Sequence, residues 1–324
     1  MKFKFLLAMA ALTLGAAGHA DTFPSKPITL VVPSVAGGGL DVLARTLAED
    51  MGKRLGQAVV VDNKPGAAGI LATQAVARAT PDGHTLLMTL SAPILTVPYM
   101  VAKVPYDVRR DLSFITQLCN GQLVMAVNSK AVPARNMQEF TQWAMQNKGQ
   151  VNYGSFGIGT APHLLNAYFS HSRKLDMVHA AYKGEAPMVQ DLVGGQIQVA
   201  IGSLGSLLPH IESGRLRALA VFGDKRLKDL PSLPSMAEQG ITDPELQPVG
   251  WIVLMGPAGL PPAVLATLEK EARAAALSTL MKARFQLYGM APMATSSAEF
   301  LRDYEATAPR MEQLVRLSGA KAEQ

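Results

Sequence analysis

The chain of 324 residues has little of what marks most enzymes and nucleic-acid binders. Cys119 is its one cysteine, so no disulfide can form within the chain, and a lone thiol inside the apolar-rich stretch 114–127 reads as buried and inert. Neither paired cysteines nor H-E-x-x-H offers a metal site. The histidines at 84, 163, 171, 179 and 210 are dispersed and read as surface or polar-network residues, so no metal or cofactor is expected. The G-x-S-x-G nucleophile signature is missing too: Tyr153 stands where its first glycine would precede Ser155, and Ile201 where it would precede Ser203. Aromatics make up only 6% of the chain and no Lys/Arg-rich run is interleaved with them, which excludes nucleic acid as a partner. No apolar run approaches the roughly 20 residues that a membrane-spanning helix needs.

The longest apolar stretch, 5–17, follows Lys2 and Lys4 and precedes Gly18-His19-Ala20, which puts small residues three and one positions before a cut. This is the pattern of a secretory signal peptide, residues 1–20, cleaved after Ala20. Asp21 follows instead of a lipid-accepting cysteine, so the mature chain is expected to diffuse freely in the periplasm as a soluble monomer. Cleavage removes two lysines and takes the net charge from +5 to +3, a mild excess suited to a small anion. The remaining length suggests about two domains, each with its own core.

Glycine is abundant where it matters. In segment 27–45, PITLVVPSVAGGGLDVLAR, a β-branched run leads into Gly37-Gly38-Gly39 and then into an amphipathic run carrying Leu43, Leu47, Met51 and Leu55. Strand, glycine turn and helix in this order bring bare N–H groups and the positive end of a helix to one place, which holds an anion. A phosphate loop would need Lys-Ser or Lys-Thr after the glycines, and a dinucleotide turn would need a glycine where Val42 stands. A carboxylate suits the turn better.

Further along, 58–61 reads as a strand, 63–69 as a second small-residue loop, 70–79 as a helix and 85–89 as a strand, a βαβαβ run. Strands are expected again at 123–127, 151–153, 177–181, 197–201 and 216–221, with a helix capped by Asn136 and Glu139 between the first two. Spacings of about 20–25 residues imply crossovers and mainly parallel sheets, an α/β fold. Three small-residue loops, 34–39, 63–69 and 155–160, fall at carboxyl ends of strands, where doubly wound sheets bind ligands. A Pro-rich stretch at 230–248 precedes a strand from Trp251, and helices are expected near 263–283 and 297–317. We expect the chain to return to its first lobe near 249–258, giving lobe 1 as residues 21–121 plus 250–324 and lobe 2 as 122–249.

An ordered set of segments then matches a family: 33–45, 59–69 (VVVDNKPGAAG), 79–87 (ATPDGHTLL), 153–163 (YGSFGIGTAPH), 182–195 (YKGEAPMVQDLVGG) and 214–221. The chain resembles the tripartite tricarboxylate transporter receptors, or Bug proteins. The resemblance implies a two-lobed periplasmic binding protein of the Venus-flytrap type, each lobe a sheet flanked by helices. Such a receptor captures a small organic carboxylate and hands it to a membrane permease. It further implies a ligand held by backbone N–H groups and ordered water at Ser34, Ala36, Gly37, Gly38, Gly39 and Asp41, with Ala67 and Ser91 nearby. The facing lobe would add Ser155, Gly159, Thr160, His163, Tyr182, Lys183 and Ser203.

Asp41 has two readings, a helix cap or a group orienting a ligand-bound water; Thr160 could serve only as an N-cap, and Lys183 only as a solvated charge. The chain departs from the family pattern at Gly202-Ser203, where many relatives carry an aspartate, and at Ala181, where Pro-Tyr-Lys-Gly is usual. Three or four charge-assisted hydrogen bonds of about 1.5–3 kcal/mol each are enough for micromolar binding. Two rival roles remain: presenting the ligand to a membrane sensor kinase, and a periplasmic hydrolase turning over an ester or amide.

Overall fold

The computed structural model describes residues 23–223, 226–228, 230–247 and 249–319. The expected signal peptide and its cleavage site lie outside them. In chain order the elements begin with β1 (Ile28–Val32), α1 (Gly39–Leu55), β2 (Val59–Asn63), α2 (Ile70–Ala77) and β3 (Thr85–Leu90). Three one-turn helices follow, α3 (Ala92–Leu95), α4 (Val97–Met100) and α5 (Val108–Asp111), and then β4 (Leu112–Gly121) and β5 (Leu123–Asn128). The middle of the chain alternates through α6 (Met137–Gln146), β6 (Asn152–Ser155), α7 (Ala161–Ser172), β7 (Val178–Ala181), α8 (Glu185–Gly194), β8 (Val199–Ser203), α9 (Leu204–Glu212) and β9 (Leu216–Val221). It closes with β10 (Trp251–Pro257), α10 (Pro262–Ala276), α11 (Thr279–Leu287), β11 (Met290–Pro292) and α12 (Ser297–Ser318).

The strands form two sheets, one ordered β11-β4-β10-β3-β1-β2 and the other β7-β6-β8-β5-β9. Each is covered by helices on both faces, so apolar side chains cluster on either side of each sheet: Leu30, Leu47, Met88 and Leu254 against Phe285 on one face of the first, Leu87, Val253 and Met255 against Phe300 on the other. The second sheet packs Met125, Val127 and Ile201 against Phe140 and Phe169, and Val124 and Ala200 against Met188 and Leu207.

The expected α/β fold is present, but the sheets are mixed. β1 pairs in parallel with β2 and β3, and β6 with β7 and β8, whereas β10 runs antiparallel to β3 and β4, and β5 antiparallel to β8 and β9. The physical reason is that β5 and β10 come directly out of the crossings between sheets: β5 follows β4 through Gly121-Gln122, and β10 begins after Gly250. Each enters its sheet from the far side. The stretch 114–127 is thus two strands, broken at that crossing. Cys119 is fully buried on β4, and burial pushes its thiol up to about 12. The helix expected over 263–283 is two, because Ser278 caps α11 by accepting from Met281 N–H at 3.3 Å. Asn136 caps α6 as expected, accepting from Glu139 N–H at 2.8 Å.

Candidate functional site

Because β1, β2 and β3 are parallel neighbours, their carboxyl ends share one edge and the loops 33–38, 64–69 and 91–96 emerge together. In the first loop the left-handed residue is Gly37, at φ 81°, while Gly38 is extended (φ −70°, ψ 161°) and stands at the N-cap of α1. Gly39 is small for another reason, since a Cβ there would come within 3.2 Å of the Tyr288 ring.

Asp41 holds this loop together. Its buried carboxylate accepts from Gly37 N–H at 2.8 Å, Arg45 Nε at 3.0 Å and Asn63 Nδ2 at 2.9 Å, and Arg45 Nη2 lies 2.9 Å from its second oxygen. Hydrogen bonds from the Arg45 guanidinium and then from Gly37 N–H outweigh burial and lower its pKa to about 2. Of the two readings of Asp41 the geometry gives a loop brace reaching back from the third helical position, with its acceptors occupied by protein donors. The N–H groups of Gly39, Leu40 and Asp41 itself have no protein acceptor among the described residues. Ser34 Oγ is likewise buried without a partner.

The second loop is strained. Gly66, Ala67, Ala68 and Gly69 all have positive φ, at 117°, 45°, 51° and 89°. Two consecutive alanines in the left-handed region cost of order 1–2 kcal/mol each, a conformation met chiefly where function requires it. The turn aims the N–H groups of Ala67 and Ala68 away from any acceptor among the described residues. Gly69 also makes a close approach: a Cβ there would lie 2.5 Å from Pro93 Cγ. Ser91 Oγ donates to Val249 O at 3.1 Å, tying the third loop to the returning chain.

On the second sheet, loops 156–160 and 182–184 and the turn into α9 leave one edge. Ser155 is fully buried, and its hydroxyl lies 2.7 Å from His179 Nε2 and 3.0 Å from Gly157 O. The rings of His163 and His179 stack at 3.9 Å, and His179 in turn stacks on Tyr153. His163 Nδ1 accepts from Gly159 N–H at 3.1 Å, so its proton is on Nε2. Burial, then the neighbouring His179, holds His163 down at about 4, and burial lowers His179 as well. Thr160 takes the N-cap position of α7, yet its hydroxyl donates to Gly157 O at 2.7 Å instead of capping.

Of the remaining residues, Tyr182 and Ser203 are engaged by carboxylates of the protein itself. Tyr182 donates its hydroxyl to Asp191 at 2.8 Å, and burial and that carboxylate push it up to about 12. Ser203 caps α9, while its N–H and hydroxyl both donate to Glu185. Lys183 is exposed.

Two contacts show that the edges face each other. A Cβ on Gly159 would fall 2.2 Å from Met100 Sδ, and one on Gly205 would fall 3.0 Å from Leu287 O. The two edges therefore touch at two places, Gly159 against Met100 and Gly205 against residues 287–289, the second beside the Gly121-Gln122 crossing. Depressions of about 440 Å³ around Arg135 and Arg217, and about 500 Å³ around Gly52 and Lys53, lie away from these loops. Reading the sequence missed His179, Asn63, Glu185 and Tyr288. Their signal is spatial only, although Asn63 and His179 do sit at the end of one strand and within another on the same edges.

The model for the tripartite tricarboxylate transporter family receptor matches residues 43–319. The chain belongs to this family. It is 32% identical over 327 residues to Protein BugT of Bordetella pertussis, covering 99% of each chain. Among solved structures it is similar to Rpa4515 of R. palustris with adipate, with TM-score 0.78, 28% identity and coverage of 92% and 99% of the two chains. It is also similar to MatC of Rhodopseudomonas palustris with bound malate, with TM-score 0.74, 25% identity and coverage of 90% and 100%. As a family member the chain is a periplasmic solute-binding receptor with two lobes, and no helix among its described residues is long and apolar enough to cross a membrane.

Proposed function

We propose that this receptor closes two lobes, residues 21–121 with 250–324 and residues 122–249, over a small organic carboxylate and delivers it to the permease of a tripartite tricarboxylate-type transporter. The receptor is a monomer that reaches the periplasm by cleavage after Ala20. The observation that carries this reading is the set of unpaired donors at one edge: the N–H groups of Gly39, Leu40 and Asp41 at the start of α1, and those of Ala67 and Ala68 in the strained turn beside it. Oriented N–H groups at a helix start, with a positive dipole end and no resident acceptor, fit a carboxylate without a cationic side chain. Asp41, Asn63 and Arg45 set the loop from behind. His163, His179 and Ser155 set the facing loop, with Thr160, Tyr182 and Ser203 bracing the second wall. The carboxylates in the similar structures, adipate and malate, support the class.

The test is mass spectrometry of small molecules released by denaturing natively purified protein, followed by calorimetric rebinding to refolded protein. We expect a carboxylic acid near one per chain. A released compound with no carboxyl group, or turnover of a bound ester or amide, would overturn the assignment.

A further inference from the structure

We propose that the preferred ligand carries one carboxylate on an apolar body, an aliphatic or aromatic monocarboxylate, and that di- and tricarboxylates are discriminated against; this rests on the receptor reading above. The first ground is the apolar lining. Val35, Leu71 and Leu90 are 63%, 51% and 46% exposed, and all three sit at the carboxyl edge of the first sheet, in or beside its three loops. They lie over the glycines that shape those loops: Val35 Cγ2 is 3.9 Å from where a Cβ on Gly38 would be, and Leu71 Cδ1 is 3.2 Å from that of Gly66. Met100 covers Gly159 in the same way from across the cleft. Apolar side chains left in solvent beside polar backbone donors are how a binding site meets a ligand with one charged end.

The second ground is charge. Arg45 is engaged by Asp41 and Asn63, and Lys64 pairs with Asp62 at 3.0 Å. Glu185 is a resident anion beside the start of α9, where it accepts both donors of Ser203. Among the cationic side chains of these loops only Lys183 has no ion partner among the described residues, and Glu185 offsets its charge. Backbone N–H groups can hold one carboxylate. A second would meet Glu185 without a committed counter-cation.

The test is calorimetry on mature protein, stripped of ligand by unfolding and refolding, against hexanoate, benzoate, succinate and citrate. The better of hexanoate and benzoate is expected to bind at least about tenfold more tightly than succinate or citrate, and Leu71→Ser to weaken it by about tenfold. Leu71 is exposed, so that variant should fold; Val35→Ser is the independent second. Succinate or citrate binding as tightly or more tightly, or unchanged affinity in both variants, would overturn the proposal while leaving a carboxylate receptor standing. Binding of none of the four acids would overturn the proposal, and a released compound that lacks a carboxyl group would overturn the carboxylate-receptor reading with it.

Discussion

His163 and His179 stack ring on ring at 3.9 Å with 9° between their planes, and each fixes one part of the same loop, His163 through Gly159 N–H and His179 through Ser155 Oγ. The stack requires both rings to be neutral. In the unfolded chain His163 titrates near 6.5, but in the folded protein only at about 4. Between those values the unfolded chain holds the extra proton, so stability is complete above pH 6.5, falls as the pH drops toward 4 and levels off below that. The shift corresponds to about 3 kcal/mol for this one ring. Urea unfolding at pH 7.5, 5.5 and 4.5 should show the loss, and His163→Asn should make it clearly shallower, with His179, which burial also lowers, keeping part of the slope. A variant with the parent's slope would contradict the assignment.

Asp41 gives a second prediction with the opposite chemistry. Its depressed pKa means that its stabilising effect is present above about pH 4 and is lost as the pH falls through about 2, so it adds nothing to the histidine window. Asp41→Ala leaves Gly37 N–H without its acceptor and Arg45 without its carboxylate. We expect a loss of about 2 kcal/mol in stability at neutral pH together with weaker ligand binding, since charged hydrogen bonds of this type contribute about 1.5–3 kcal/mol. Wild-type affinity with lowered stability would separate the brace from the binding loop.

Glycine substitutions divide by mechanism. Gly37 has positive φ and open space where a Cβ would go, so Gly37→Ala should cost about 1 kcal/mol through the backbone alone. Gly205 has ordinary helical backbone, but a side chain there would press on the backbone of residues 287–289. Gly205→Val should therefore hold the lobes apart, enlarge the radius of gyration of the liganded protein and weaken binding at little cost in unfolding free energy. Small-angle scattering with and without ligand reads this; an unchanged liganded radius would show that the contact at Gly205 does not govern closure.

Trp251 begins β10 immediately after Gly250, whose carbonyl accepts from Gly121 N–H at 2.9 Å where both chain crossings meet. Its indole packs edge-on to Phe300, so motion at the crossing should alter its surroundings. Trp143 lies on α6, against Phe140, well inside the second lobe. Ligand titration of Trp143→Phe should change the emission. Saturable binding by calorimetry with constant emission would place the hinge elsewhere.

The periodic parts of the fold were legible because local chemistry decides them. The run Ile28–Val32, the glycine turn and the helix from residue 39 are found where pattern and propensity put them, and Asn136 acts through the first N–H groups that follow it. Strand direction was not legible. Whether β10 runs with or against β3 depends on which sheet the chain has just left, and no local spacing records that. The same holds within the site. Glycines and alanines announced the loops, but Asn63, His179 and Glu185 reach Asp41, Ser155 and Ser203 across 22, 24 and 18 residues, and an isolated polar side chain does not reveal its partner.

If a carboxylate sits on the backbone donors of the first two loops, those amides must sense it. Amide chemical-shift mapping on ¹⁵N-labelled mature protein, titrated with the acid identified by mass spectrometry, tests this most directly. The largest saturable shifts are expected on Gly39, Leu40, Asp41, Ala67 and Ala68, with a second group at 156–160. Silence at those amides, with the shifts gathered instead around Arg135 and Arg217, would contradict the proposed site.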